Sequence, residues 1–368
     1  MIAVNEPRLG LNEIEHVLDC LNTGWISSAG KYIEAFERRW SEYCGMPYGV
    51  AMCNGTAALE AAIASLDLHP GEEVILPTFT IISCALAVVE HGGVPVLVDS
   101  DPETWCMDVS QVEVKITQRT RAIMPVHIYG HPVDMGPILA LAQKYSLKVI
   151  EDAAEAHGAE YNGMKCGGIG DISCVSFYAN KIVTTGEGGM VLARDSQTAD
   201  KLRSQRNLGF KPERRFYHTE LGHNYRMTNI QAAIGLAQVE EIEAHLAHKQ
   251  WMACAYRERL QGLLYLQLPV EKSWAKNVYW MYGVVLDESC GIDASEFARR
   301  MKMEGVETRP FFLGMHEQPV FHQRGLFLDE RYPIAERIAR QGLYLPSGLT
   351  LTEEQIDEVC AAVRMCLN

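Results

Sequence analysis

Apolar positions along the chain alternate between two periods. Short apolar runs recur, each stopped by Pro, Gly or an acid: EVILP (73–77), VPVLVDSD (94–101), the start of TRAIMPVHIYG (120–130) and LKVIED (147–152). They read as buried strands. Between them lie segments with apolar residues every three or four positions. NEIEHVLDCLNTG (12–24) carries Ile14, Val17, Leu18 and Leu21 and stops at Gly24; TIISCALAVVEHG (80–92) and PILALAQKYS (137–146) follow the same rule. Strand–helix alternation predicts a mostly parallel sheet covered on both faces. Ligands of such sheets sit beyond the carboxyl ends of the strands. Those ends carry Pro77-Thr78-Phe79, Asp99, His127-Ile128-Tyr129 and Asp152; His127 and Tyr129 read as site wall or as core, with core the favoured reading for His127.

The rhythm breaks after residue 170. Two β-rich pieces, Ile172 to Tyr178 and Gly189 to Ala193, are joined by a short loop with Lys181 and a GEGG turn. Residues 207–229 form a long segment without periodicity, rich in aromatic and basic residues. A continuous helical pattern follows over 230–262. The last hundred residues read as α+β, with Asp293 as a helix cap and Thr352 with Gln355 as a capping box. The expected division is a large domain with an N-terminal arm over 1–240 and a smaller α+β domain over 241–368.

Composition narrows the class. The chain has 368 residues, 48% hydrophobic and 22% charged, which suits a globular protein with a large core. Its net charge of −14 argues against a nucleic-acid binder. No run reaches the roughly 20 apolar residues of a membrane span, and MIAVNEPRLG lacks the marks of a secretory signal. The 11 cysteines are scattered without CxxC or CxxC…H spacing, so no metal site is expected. They read as reduced thiols of a cytoplasmic protein, with Cys84, Cys174 and Cys254 as small hydrophobes.

The chemistry concentrates in Glu151–Met190. A strand-end aspartate, Asp152, and a lysine between apolar strands, Lys181, match what pyridoxal 5'-phosphate needs: a carboxylate for the pyridine nitrogen and an amine for its aldehyde. The turn Asn54-Gly55-Thr56-Ala57 opens a helix and could receive a phosphate with Ser176. The bland readings are a surface lysine near a turn, a capping aspartate, and Thr56 as a plain N-cap. There is no Walker loop, and no GxGxxG follows a strand, so an NAD-dependent oxidoreductase is disfavoured.

EDAAEAHGA, SFYANKIVTTGEGGMV, NGTAAL, PTFT and HNYRMTNIQAAIGLAQ, in this order and spacing, resemble the DegT/DnrJ/EryC1/StrS family of nucleotide-sugar aminotransferases. The resemblance spans essentially the whole chain and implies a fold-type-I pyridoxal phosphate enzyme. SFYANK, HIYG and TRPFFLGMH are most similar to the branch that moves an amino group from L-glutamate to C4 of GDP-4-keto-6-deoxymannose for polysaccharide building. The alternatives are a UDP- or dTDP-linked sugar, amination at C3, and a non-catalytic sensor on the same fold. The family's dehydratases replace the lysine with His, and this chain keeps Lys181. The resemblance implies that Lys181 forms the Schiff base and shuttles the proton, while Asp152 pairs with the ring nitrogen. It places Glu155 near the phenolic oxygen, Gly55, Thr56, Ala57 and Ser176 at the phosphate, and Ile81 where many relatives carry a stacking aromatic ring. Asn224 would reach the phosphate of a partner subunit, making a homodimer with shared sites. Trp25, Ser27, Lys31, Arg226, Arg309 and His316 lie in segments the family uses around its substrates, and Lys211, Arg214 and Arg215 could meet a diphosphate; each also reads as an ordinary surface group.

Overall fold

The computed structural model describes residues 1–211, 214 and 216–367; Arg215 lies outside the described residues. The large sheet takes its strands in chain order from β1 (Tyr48–Met52), β2 (Glu73–Pro77), β3 (Val94–Val98), β4 (Thr120–Ile123) and β5 (Lys148–Asp152). A small hairpin, β6 (Glu160–Tyr161) and β7 (Met164–Lys165), precedes β8 (Ile172–Ser176) and β9 (Gly189–Ala193). The spatial order is β1-β9-β8-β5-β4-β2-β3. The pairs β2/β3, β2/β4, β4/β5 and β5/β8 are parallel; β9 runs antiparallel to both β8 and β1. The break in rhythm after residue 170 is therefore a reversal of strand direction. It leaves Lys181 on the connection between β8 and β9, close to the carboxyl end of β5.

These strands are apolar on both faces because helices cover both; Val74, Ile75, Leu76, Val149, Ile150 and Val191 are buried. Several helix ends follow the sequence. The helix Leu11–Thr23 stops at left-handed Gly24 with φ 74°, and Thr352 and Gln355 make the reciprocal capping bonds. The pattern over 230–262 is two helices, Asn229–Glu240 and Ile242–Leu260, parted at Glu241, whose ψ of 4° interrupts the helical path. Leu11–Thr23 also turns differently from its apolar pattern. It buries Glu13 and Cys20, and leaves Ile14, Leu18 and Leu21 about half exposed.

A second sheet collects β10 (Leu266–Gln267), β12 (Tyr282–Leu286), β14 (Gly342–Leu345) and β13 (Arg309–Pro310), in that order; β11 (Ala275–Lys276) pairs with β6 instead. A separate apolar cluster forms around it, including Tyr256, Tyr282, Phe297, Leu343 and Ile356. The N-terminal arm runs to this lobe. Ile2 exchanges backbone bonds with Gly305 and Glu307, and the carbonyls of Val4 and Glu6 accept from Ser347 and Leu349. Val278, Trp280, Met281 and the apolar residues between 311 and 338 contribute instead to the core of the large sheet, so the lobes meet beside the carboxyl end of β5. All 11 cysteines are free thiols; Cys84 and Cys174 are buried and Cys254 is half-buried.

Candidate active site

A cavity of about 480 Å³ opens where the lobes meet. Its floor is the end of β5 and β8, one wall is the first turn of the helix Gly55–Ala64, and the opposite wall is Trp280, Phe312 and Tyr344 from the C-terminal half. A larger hollow of about 650 Å³ lies along the edge strand β3, but its arginines are already committed, Arg119 to Glu73 and Arg331 to Glu336.

Asp152 ends β5 in a buried position, fixed by two donors. The Cys84 thiol donates to Oδ2 at 3.0 Å and the Ala154 N–H to Oδ1 at 3.0 Å. The preceding residue, Glu151, works for the fold. Its carboxylate accepts from the N–H groups of Gly167, Ile169 and Gly170, and pairs with His127 Nε2 at 3.0 Å. Burial pushes this carboxyl up, but the His127 and backbone donors outweigh burial and hold it below the usual range. His127 is thus core, its Nδ1 accepting from the Val133 N–H.

Lys181 points into the cavity. Its Nζ lies 3.7 Å from Glu155 Oε1 and 3.6 Å from the centroid of the Trp280 ring. Burial lowers the lysine's pKa, opposed by the carboxylates of Glu155 and Asp152. Glu155 is held by the Tyr129 N–H on Oε2 at 2.8 Å. To aim that N–H, Tyr129 adopts φ 51°, a conformation uncommon outside glycine. Burial, against the pull of Lys181, pushes Glu155 up to about 7. His157 is buried and neutral, brought down to about 3 by burial and then by Lys181; its Nδ1 accepts from the Val183 N–H and ties down the Lys181 loop.

The phosphate-ready turn is capped by Asn54, not Thr56: its Oδ1 takes the Ala57 N–H at 2.8 Å. Ala57 is thereby committed and buried. Gly55 and Thr56 face the cavity, at the end of the helix whose first N–H groups have no intrahelical acceptor. Thr56 Oγ1 lies 2.9 Å from Ser83 Oγ. Gly55 is required by close approach, since a Cβ there would stand 2.7 Å from Ser176 Cβ. Lysine, buried carboxylate, helix-end donors and a cavity of ligand size fit pyridoxal phosphate.

The other anticipated residues divide. Ile81 lines the cavity mouth, 41% exposed, with no π face to offer. Arg309 is on β13 opposite Tyr344, paired with Glu307 at 2.7 Å. His316 is buried away from the cavity, between Thr78 Oγ1 at 2.7 Å and Glu336 at 3.3 Å. Trp25 and Ser27 are exposed, and Lys31 pairs with Asp19 at 2.9 Å. Asn224 is exposed and bridges Asn207 at the base of the 207–224 excursion. Arg226 donates to Asn207 Oδ1 at 2.8 Å and lines a separate hollow of about 340 Å³ with Arg203 and Arg206. Lys211 pairs with Glu220 at 2.6 Å, and Arg214 lies over the Tyr217 ring. None of Asn224, Trp25, Ser27, Lys31 and Arg226 reaches the cavity of its own chain. Trp280, Phe312, Tyr344 and Cys84 were missed as site residues; the aromatic run VYWMYG leading into β12 was the available signal for Trp280.

A family model described as the DegT/DnrJ/EryC1/StrS aminotransferase family matches residues 7–364. The chain is 44% identical to a GDP-perosamine synthase of Caulobacter vibrioides, covering 100% of this chain and 98% of that protein. It is 40% identical to a GDP-perosamine synthase of Escherichia coli O157:H7, covering 98% and 97%. Among solved structures it superposes on DesV of S. venezuelae, determined in complex with a ketimine intermediate, with a TM-score of 0.90 and 32% identity over 97% of this chain and 95% of that one. The chain belongs to the DegT/DnrJ/EryC1/StrS aminotransferase family and is a pyridoxal 5'-phosphate enzyme.

Proposed function

We propose that the enzyme transfers the amino group of L-glutamate to the C4 keto carbon of GDP-4-keto-6-deoxymannose. The observation that carries this reading is the full-length likeness to GDP-perosamine synthases, together with a cavity that holds an amine and two buried carboxylates.

When bound, pyridoxal phosphate supplies an aldehyde carbon that takes up an amine and a ring that accepts the electron pair of a broken C–H bond. Lys181 would hold that aldehyde carbon, and its Nζ, buried in the cavity, is the group that would take up and return the proton of the donor's C–H bond. Burial keeps the amine form accessible for this work. Asp152 would keep a proton on the pyridine nitrogen, and the Cys84 and Ala154 donors fix the orientation of its carboxylate. Glu155, pushed up to about 7 by burial, would offer a proton to the phenolic oxygen in its acid form. Gly55, Thr56 and Ser176 orient the phosphate. Arg309, on β13 opposite Tyr344, is our candidate for meeting a carboxylate of glutamate.

We assign the active unit as a homodimer. Among the described residues that line the cavity Lys181 is the only cation, so a doubly charged phosphate has no further cationic partner there. Asn224, Arg226, Trp25, Ser27 and Lys31 are candidates to complete the site from a second copy. The half-exposed Ile14, Leu18 and Leu21 on one helix face supply apolar area for such a contact. His316 acts from behind, by holding Thr78.

The test supplies glutamate with GDP-, UDP- and dTDP-linked 4-keto and 3-keto sugars and identifies the product by mass and NMR. Amination at C4 of the GDP sugar is expected. Conversion of only a UDP- or dTDP-linked sugar would overturn the substrate assignment.

A further inference from the structure

We propose that Trp280 is a positioning residue for Lys181: its indole face fixes the ε-amino nitrogen and keeps the ammonium form within reach, so that one nitrogen can both take up and release a proton. The inference rests on the assignment of Lys181 as the group that captures the cofactor.

The ring is anchored at two points. Its Nε1–H donates to the Asn180 carbonyl at 2.8 Å, one residue before Lys181. Its own carbonyl accepts from Lys249 Nζ at 2.9 Å. Lys249 also donates to the Ser347 carbonyl, and Ser347 Oγ accepts the Tyr282 N–H at 2.9 Å, so the start of β12 is tied to the end of β14. Tyr129 lies nearly parallel to the indole at 6.2 Å. Trp280 is therefore held through its backbone by the C-terminal lobe, while its ring bonds the loop of Lys181 and faces that lysine.

A proton carrier needs both of its forms. Burial favours the amine of Lys181, and the groups that favour its ammonium are few: Glu155 Oε1 at 3.7 Å, Asp152, and the π face at 3.6 Å. His157, behind the loop, is neutral, while Tyr178, Glu187 and Tyr344 line the remainder of the cavity. Glu155 titrates near neutrality, and Asp152 is committed to the cofactor ring once that is bound. The indole is the one partner whose attraction for a cation does not change with either event. It also provides the aromatic wall that Ile81 does not.

The test places tryptophans of increasing fluorination at position 280 by site-specific incorporation. Fluorine withdraws π density and weakens the hold on a cation with little change in volume. Apo-protein is mixed with pyridoxal phosphate across pH, and covalent capture is followed by visible absorbance. In that step the Nζ–C bond forms and the aldehyde oxygen leaves as water, so its pH midpoint reports the lysine. The midpoint is expected to fall stepwise with fluorination, by about one pH unit in all. Trp280→Phe, which keeps a π face, is expected between the native ring and Trp280→Leu. Capture with a midpoint indifferent to fluorination would overturn the role of Trp280 alone. Absence of capture at every pH would sink the assignment of Lys181 and this inference with it.

Discussion

Lys249 offers a direct measurement of how the backbone beneath Trp280 is held. It is 1% exposed within the helix Ile242–Leu260 and donates to the carbonyls of Trp280 and Ser347; among the described residues it makes no ion pair. Burial brings its pKa from 10.5 down to about 7. The sign follows from proton counting. The unfolded chain keeps this proton up to pH 10.5 and the folded chain releases it near 7, so the unfolded state binds more protons in between and stability rises with pH. At about 1.4 kcal/mol per pH unit, the full window is worth on the order of 5 kcal/mol. Replacing Lys249 with Met removes the charge at similar length but leaves two buried carbonyls unpaired, at about 1–3 kcal/mol each. Near pH 6 these effects oppose, and Lys249→Met is expected within about 2 kcal/mol of the native protein. At pH 10 only the lost bonds remain, and the variant is expected to be clearly less stable. Urea midpoints of both proteins, measured side by side from pH 6 to 10, give the difference. A difference that stays constant above pH 7 would show that the folded protein keeps the lysine charged, and would refute the reasoning.

Other expectations follow from the cavity. Glu155→Gln cannot titrate, so the change in bound-cofactor absorbance that the native enzyme should show near pH 7, where the acid form prevails below and the carboxylate above, is expected to vanish. Gly55→Ala brings a Cβ to 2.7 Å from Ser176 Cβ and moves the helix end off the phosphate; cofactor affinity measured by dialysis should fall about 10- to 100-fold, with unfolding temperature little changed. Asp152→Asn keeps the two donors near their places but removes the charge; cofactor binding should survive while kcat falls roughly 10²-fold or more.

Residues that depend on their neighbours in sequence were legible, and those that depend on lobe packing were not. The alternation of apolar runs gave the parallel strands because each strand is buried by helices adjacent in the chain. Asp152 and Lys181 were readable because each ends or follows a strand whose partner lies within thirty residues. Helix Leu11–Thr23 shows the limit of the same logic: its spacing marks an apolar stripe, yet Ile14, Leu18 and Leu21 of that stripe remain half exposed. Periodicity identifies an apolar face, not what covers it. Lys249 was invisible for the converse reason. In HLAHKQWMACAY it is one polar letter among several, and nothing local places it beneath residues 280 and 347.

The missed residues share an origin that bears on how the enzyme divides its work. Cys84 meets Asp152 across 68 positions, and Trp280 meets Lys181 across almost a hundred. The groups that bond or carry protons come from one contiguous stretch, while those that hold them in place come from distant helices and the second lobe. A local motif can therefore be kept while its supporting groups vary. Ile81 illustrates this: the position beside the turn holds an aliphatic residue, and the aromatic wall is supplied by Trp280, Phe312 and Tyr344. If those rings hold the lysine as argued, the lobes must stay docked for Lys181 to work. Loosening the hold on Trp280 at Lys249 should then shift the pH midpoint of cofactor capture as well as stability. An unshifted midpoint in Lys249→Met, with stability altered, would mean that the Asn180 bond alone positions the indole.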